Sequence, residues 1–486
     1  MKTLFDLLRE LNHAIQVTDD KEFIISDKER ISFKSLNDKS ISLANKLKHD
    51  GVKPDDIVPI LLENSPNFII AVLALWMTEA IPVPINLKLS KLEIEEQLKF
   101  LKCKFVLVDE SYKEKINVND VKKIGLSVLN EDSEKIEVDF NFDESKTAVI
   151  MFTSGSSAKP KAVELSFSNL IHSALIGNKY LKQTSDDRWL ASLPFYHIGG
   201  FSIIFRALIF GTAIIFPADL KIKSLHSSIQ SFNPSLISLV SSQMSELLNN
   251  NIHPNRDLRH VLLGGGFIDS SIIKKALTKG WKVSKVYGST ETSSFVTVLS
   301  PEEYKLKPES AGKPIHPNEI LIVDENGNEL TENTEGEIVI KSPALMKGYF
   351  KDDEATKQKL KDGLYFTGDI GYQDKDGYLY VVNRRSDLVV TGGENVNHVE
   401  VEEVIMKFPR VKEVCVFGID DTKWGQKVAV AIVSKPNEKF SLEDLKDFLK
   451  DKIASFKIPK EIYFVEELPK TELGKIKLEN LRKLFP

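Results

Sequence analysis

The sequence predicts an α/β protein. A large N-terminal domain of parallel α/β subdomains ends in a small β-subdomain and is followed by a small α+β C-terminal domain. Three observations predict it. Apolar strand, apolar helix and apolar strand recur at the spacing of right-handed parallel crossovers. From about residue 300 the texture changes to short strands separated by glycine and aspartate turns. Beyond Arg384 it changes again, to a β-α-β style module of about 100 residues. A length of 486 residues agrees with this, because it exceeds what one ordinary core can serve. The expected division is 1–384 and 385–486.

Taken in order, residues 1–50 read as a helix, two short strands and a helix whose Leu36, Leu43, Ala44 and Leu47 form one stripe. Residues 56–61 read as a strand, 67–76 as an apolar helix and 82–86 as the next strand, and the unit repeats at 92–101 and 105–109. Residues 112–146 are polar, with weak periodicity, and read as a variable excursion. A buried strand at 148–152 leads into a loop, and a helix follows at 167–179. Further strands are expected at 189–194, 235–240, 259–263 and 283–287, with an apolar helix at 201–210. Each of these strands runs into a Gly, Ser or His cluster. Ligands of open α/β sheets sit at the carboxyl ends of strands, so the clusters are expected to share one crevice. The β-subdomain is read from strands at 337–341, 363–365 and 378–383. In the last module a helix starts at Ser441 with Asp444 as capping partner, and Leu442, Leu445, Phe448 and Leu449 line one face.

Composition excludes several classes. The chain is 42% hydrophobic and 28% charged, as in soluble globular proteins. A net charge of −5 without a basic stripe argues against a nucleic-acid partner. The longest apolar runs, such as 68–77, are too short to insert across a membrane. Residues 1–10 carry no signal-peptide pattern, and Cys103 and Cys415 lie far apart without metal-ligand spacing. A cytoplasmic monomer or homodimer acting on small molecules is the expectation.

Chemistry concentrates first at Thr153, Ser154, Gly155, Ser156, Ser157, Ala158, Lys159, Pro160 and Lys161. Small residues let backbone N–H groups approach an anion, hydroxyls add donors and the two lysines add charge. Such a loop suits a polyphosphate, although no Gly-Lys-Ser/Thr closes it in the Walker manner. A solvated surface loop is the plain alternative. The stretch resembles the phosphate loop of adenylate-forming enzymes, the superfamily of acyl-CoA ligases, nonribosomal-peptide adenylation domains and luciferases. Ser157 stands where that family has Thr, and Ala158 and Ala162 stand where it has Gly. Serine keeps the hydroxyl, while the alanines narrow the backbone's freedom.

Other family motifs follow in family order and span almost the whole chain. Tyr287, Gly288, Ser289, Thr290 and Glu291 match the Tyr-Gly-x-Thr-Glu motif. The resemblance implies a purine on Tyr287, an α-phosphate at Thr290 and Mg²⁺ on Glu291, an oxygen ligand of the kind hard cations prefer. Thr367, Gly368 and Asp369 match the Thr-Gly-Asp core, with Asp369 implied at the ribose; the aromatic Tyr365 sits one residue closer than usual. Arg384 falls on the family's nucleotide arginine and Ser386 on its hinge, where Asp or Lys is usual. Gly392, Gly393, Glu394 and Asn395, with Glu400, Glu402 and Glu403, match the segment that faces the thioester pocket after rotation of a mobile C-terminal domain. A plain glycine turn before a helix is the local reading. Pro469 to Lys475 resembles the C-terminal Pro-x-Thr-x-x-Gly-Lys, which makes Lys475 the catalytic lysine. A cation there would bridge the carboxylate and phosphate oxygens as two anions meet.

The acyl side is carried by residues 193–208. Leu193, Pro194, Phe195, Tyr196, His197, Ile198, Gly199 and Gly200, then Arg206 in an apolar run, look most like o-succinylbenzoate–CoA ligases of menaquinone synthesis. Leu262, Leu263, Gly264, Gly265 and Gly266 resemble the same group, which implies Gly264 at the acid and Gly265 and Gly266 at the nucleotide. Arg206 would pair a second carboxylate; a structural ion pair or snorkelling to water is the other reading. His197, beside Gly199, would orient the acid or gate the nucleotide side, or would be a satisfied structural histidine. The expected activity is a two-step ligase using ATP, Mg²⁺ and coenzyme A on a carboxylic acid. The alternatives are another aryl- or fatty-acyl-CoA ligase and an enzyme that loads a carrier-protein thiol. A non-catalytic ATP sensor would have lost Glu291, Asp369 or Lys475, and all three are present.

Overall fold

The helix Pro66–Met77 is buried from Phe68 to Met77 and forms the spine of the large domain. Proline at its first turn gives up no hydrogen bond there, and an apolar surface all round means packing on every side. Trp76 fixes it: its indole N–H donates to Ala148 O at 2.7 Å, and its ring meets Phe167, Phe201 and Phe205 edge-on. The computed structural model describes residues 20–118, 120–126, 143–153, 161–265, 268, 270–383, 388–421, 423–436 and 438–469.

Around this spine stand the expected layers. A four-stranded parallel sheet runs Ile81–Pro84, Ile57–Leu61, Phe105–Val108, Lys122–Ile124. A nine-stranded sheet has a parallel centre, from Glu22–Ile25 through Ala213–Ile215, Arg188–Leu190, Leu236–Leu239 and His260–Leu263 to Val283–Ser289. Its edges are antiparallel, with Arg30–Ser32 on one side and Ser294–Leu299 and Lys313–Pro314 on the other. The strand Thr147–Thr153 joins neither sheet. It pairs antiparallel with Lys161–Ser166, which pairs with Gly348–Tyr349, so the phosphate-loop stretch connects two hairpin strands.

The β-subdomain is an antiparallel sheet of Glu319–Val323, Gly336–Lys341, Leu364–Gln373 and Leu360–Lys361, with Leu379–Asn383 added to Leu364–Gln373. A separate sheet with its own core follows from Leu388 onward. Gly425–Ser434 pairs with Val411–Asp421 and with Glu461–Phe464, and carries the hairpin Leu388–Thr391, Glu394–Asn397. The helix Leu442–Leu449 starts at Ser441 with the reciprocal Asp444 capping box.

Three local expectations shift. The strand expected over 189–194 ends at Leu190, because Leu193 and Pro194 lead a turn into the next helix. That helix starts at Ile198, not 201. Gly199 and Gly200 sit in its first turn, and Gly200 is there for closeness: a Cβ would lie 2.1 Å from Pro194 O. The strand expected at 363–365 runs on as Leu364–Gln373 through Thr367, Gly368 and Asp369, which bulge opposite Ile338 between the pairs Phe366 with Val339 and Ile370 with Glu337.

Candidate active site

The strand-end clusters do converge. A cavity of about 1180 Å³ is lined by Thr153, His197, Gly199, Arg206, Gly264, Gly265, Tyr287, Gly288, Ser289, Thr290, Glu291 and Asp369 from the large domain. Gly392, Gly393, Glu394 and Trp424 line it from the C-terminal sheet. Lys161 is not part of this lining; it opens the strand Lys161–Ser166, with its ammonium over the Tyr349 ring at 4.7 Å. Ser154, Gly155, Ser156, Ser157, Lys159, Gly266, Arg384, Ser386 and Lys475 lie outside the described residues.

On the nucleotide side, Val283–Ser289 ends in the short turn Thr290–Thr292. Tyr287 donates its hydroxyl to Asp369 Oδ2 at 2.7 Å, which ties the two motifs across the pocket. Asp369 is braced from behind, since its N–H donates to Thr367 Oγ1, which donates to Ile338 O. Glu291 is buried, and its Oε1 accepts from Tyr349 OH at 2.9 Å. The buried Ser289 hydroxyl has no partner among the described residues. No described group of three or more His, Cys, Asp or Glu could hold a metal alone. One oriented carboxylate suits Mg²⁺, which takes one or two carboxylates and completes its shell with substrate phosphates.

On the acyl side, Arg206 is 2% exposed in the helix Ile198–Phe210. One guanidinium nitrogen donates to Ser202 Oγ at 3.2 Å, and Nε and Nη2 have no partner among the described residues. The guanidinium lies over Phe295 at 4.8 Å and Trp189 at 5.8 Å. Burial pulls its pKa down to about 9, which leaves it charged at neutral pH. No described carboxylate pairs with Arg206, and its side chain is buried in the cavity wall. A buried, half-satisfied cation is costly unless something negative completes it.

The two domains meet at Glu394. The tight hairpin turn Gly392–Gly393 has φ of +58° and +85°, a pair of positive values that glycines adopt freely. It projects the Glu394 side chain, 6% exposed, into the large domain. There Glu394 accepts from Lys88 Nζ at 2.8 Å, Asn86 Nδ2 at 3.2 Å and Tyr196 OH at 3.4 Å, and meets His197 Nε2 at 3.1 Å. Burial pushes its carboxyl up, but the His197 ring and Lys88 ammonium more than offset this and hold it at about 2. Sequence reading named His197 and quoted Glu394 within its motif. It missed Asn86 and Lys88, which have no local pattern to mark them.

A mixed α/β large domain with a nucleotide-type crevice, closed by a small second sheet, defines an adenylate-forming enzyme. The chain belongs to the AMP-binding enzyme family: that family matches residues 11–350, and the AMP-binding enzyme C-terminal domain matches 400–475. It is 34% identical over 473 residues to 2-succinylbenzoate–CoA ligase of Bacillus cytotoxicus, covering 96% of this chain and 97% of that one. Two solved structures of o-succinylbenzoate CoA synthetase (MenE) from Bacillus subtilis are similar at 33% identity and 98% coverage of both chains. A double mutant bound with the product analogue OSB-NCoA gives a TM-score of 0.92. The complex with the acyl-adenylate intermediate OSB-AMP gives 0.75. Among the described residues no helix is long and apolar enough to cross a membrane.

Proposed function

We propose that this chain is an AMP-forming acid–CoA ligase that converts o-succinylbenzoate to o-succinylbenzoyl-CoA in menaquinone synthesis. The carrying observation is Arg206, a buried guanidinium in the cavity wall with two nitrogens that have no partner among the described residues. An aromatic acid with a second carboxylate completes it; a simple benzoate or a fatty acid leaves it orphaned. The full-length relatives at 34% identity support the same substrate.

The division is at 384/385, with Ser386 as hinge. In the first half-reaction the large domain holds ATP: Tyr287, Gly288, Ser289, Gly265 and Gly266 flank the adenine, Asp369 and Arg384 hold the ribose, and residues 153–161 cradle the phosphates. Glu291 holds Mg²⁺, which neutralises phosphate charge, and Thr290 donates to the α-phosphate. Lys475 bridges the attacking carboxylate oxygen and the α-phosphate; the new O–P bond forms as pyrophosphate leaves. In the second, rotation withdraws Lys475 and brings Gly392–Glu394 to His197. The CoA thiol gives up its proton to solvent, its sulfur bonds to the acyl carbon, and the bond from that carbon to the phosphate oxygen breaks as AMP leaves. The Glu394 contacts and the higher TM-score against the product-analogue complex support the second orientation here. His197 and Gly199 border the acid, with Gly264 opposite.

The test is ATP–pyrophosphate exchange with o-succinylbenzoate, benzoate, acetate and a long-chain fatty acid, followed by thioester formation on adding CoA. Exchange driven by o-succinylbenzoate above the others is expected. Exchange with benzoate or a fatty acid but not o-succinylbenzoate would overturn the substrate and keep the ligase.

A further inference from the structure

A second polar contact crosses between the domains, away from the cavity. Lys457, in the segment before Glu461–Phe464, is buried with 6% of its side chain exposed. Its ammonium donates to Glu93 Oε1 of the large domain at 2.6 Å and to Glu400 Oε1 of its own domain at 2.5 Å. Glu93 and Glu400 are 9% and 15% exposed. Three charges are thus withdrawn from water around one cation, and only one relative orientation of the domains satisfies all three. The packing agrees: Ala454 is buried with Leu89, Ile94 and Leu98 of the large domain, while Phe456 packs against that cluster and the C-terminal core.

Both ends of this triad are wired to the Glu394 contact. Glu400 lies on the helix His398–Ile405, which follows directly on the strand Glu394–Asn397. Glu93 opens the helix Lys91–Leu101, just after Asn86 and Lys88, and caps it by accepting from Ser90 N at 2.7 Å. The triad therefore fixes the two short segments whose side chains meet at Glu394. Nothing in the triad lines the cavity.

Resting on the two-step reading above, we infer that Lys457 is a positioning residue for the thioester-forming half-reaction: with Glu93 and Glu400 it holds the C-terminal domain where Gly392–Glu394 face His197. Adenylation, which uses the other orientation, does not need it. A buried pair broken on one side leaves an uncompensated charge, so loss of Lys457 disfavours this orientation in particular.

The experiment compares wild type, Lys457→Met and Glu93→Gln. Glutamine at the third helical position still serves the capping box, so Glu93→Gln removes the cross-domain charge while sparing the helix. ATP–pyrophosphate exchange stays within about twofold of wild type, while single-turnover discharge of acyl-adenylate to CoA falls about tenfold or more in Lys457→Met and several-fold in Glu93→Gln. Orientation is read separately, by pulsed electron spin distance measurement between labels at Lys28→Cys and Lys435→Cys. Both positions are exposed, and Cys103 and Cys415 are buried. One short distance population in wild type, joined by a second in both variants, is expected. Equal losses in both half-reactions, or unchanged discharge with unchanged distances, would overturn the inference. If wild type activates none of the acids tried, the ligase reading fails on its own and the distances still decide the role of Lys457.

Discussion

The carboxylate of Glu394 accepts from Lys88 Nζ at 2.8 Å across 306 residues of chain, and the same carboxylate meets His197 in the cavity wall. One side chain therefore couples the position of the C-terminal sheet to the His197 wall of the cavity. Glu394→Gln keeps the shape and loses the charge. The expected loss is about 1–2 kcal/mol of preference for this orientation, because Lys88 is half exposed and water screens the pair. CoA discharge should slow by roughly tenfold while pyrophosphate exchange holds, measured as two separate half-reactions. Equal losses in both would mean that Glu394 serves the fold and not the orientation.

The same carboxylate sets a pH signature. Its pKa stands at about 2, below the 4.5 of an ordinary glutamate, because His197 and Lys88 outweigh the cost of burial. A depressed carboxylate contributes stability that is full above its ordinary value and is lost as pH falls towards the folded value. The stability difference between wild type and Glu394→Gln should shrink as pH falls from about 4.5 towards 2. Denaturant midpoints from pH 7 to 3.5 test this. A difference that stays level down to pH 3.5 would place the titrating group elsewhere.

Arg206→Met replaces the guanidinium with an apolar chain that fills much of the same space. Charge-assisted hydrogen bonds are worth about 1.5–3 kcal/mol, so KM for o-succinylbenzoate should rise roughly 10- to 150-fold. Thermal stability should stay level or rise, because the variant removes a buried charge that lacks full partners. Exchange driven by an unsubstituted benzoate should not fall. A parallel loss for both acids, with a lower melting temperature, would return Arg206 to a structural role.

Much of this was legible before any coordinates, and the pattern of success is physical. Ser441 with Asp444 marks a helix start because the capping bonds are local, and 67–76 reads as an apolar helix because its residues are apolar on nearly every face. Gly199 and Gly200 misled the reading of the next helix: glycine is a weak helix former, and only the Pro194 carbonyl packed against Gly200 makes it necessary. The strand read at 363–365 stops short of Thr367, Gly368 and Asp369, because the bulge that keeps them in it depends on the neighbouring strand. Motif residues such as Tyr287, Asp369 and Glu291 carry a pattern, and the structure brings them to one cavity. Lys88, Asn86 and Lys457 carry none. Their cross-domain partners lie hundreds of residues away, and one lysine among many has no sequence mark of its own.

Tyr349 joins two parts of the nucleotide side that sequence reading treated separately. Its hydroxyl donates to Glu291 Oε1 at 2.9 Å, and its ring lies under the Lys161 ammonium. It sits on the short strand paired with Lys161–Ser166, so the closing end of the phosphate-loop hairpin and the proposed Mg²⁺ carboxylate share one support. Tyr349→Phe keeps the ring and removes the bond that aims Glu291. A buried carboxylate that loses one donor costs about 1–3 kcal/mol, part of it in orientation. Pyrophosphate exchange should drop about 5- to 50-fold, and the Mg²⁺ concentration for half-maximal rate should rise. CoA discharge of a supplied acyl-adenylate should be unchanged, since that step transfers the acyl group after pyrophosphate has left. A Mg²⁺ titration of exchange, run beside the discharge assay, separates these outcomes. An unshifted Mg²⁺ midpoint would mean that Glu291 is aimed by its buried backbone turn alone.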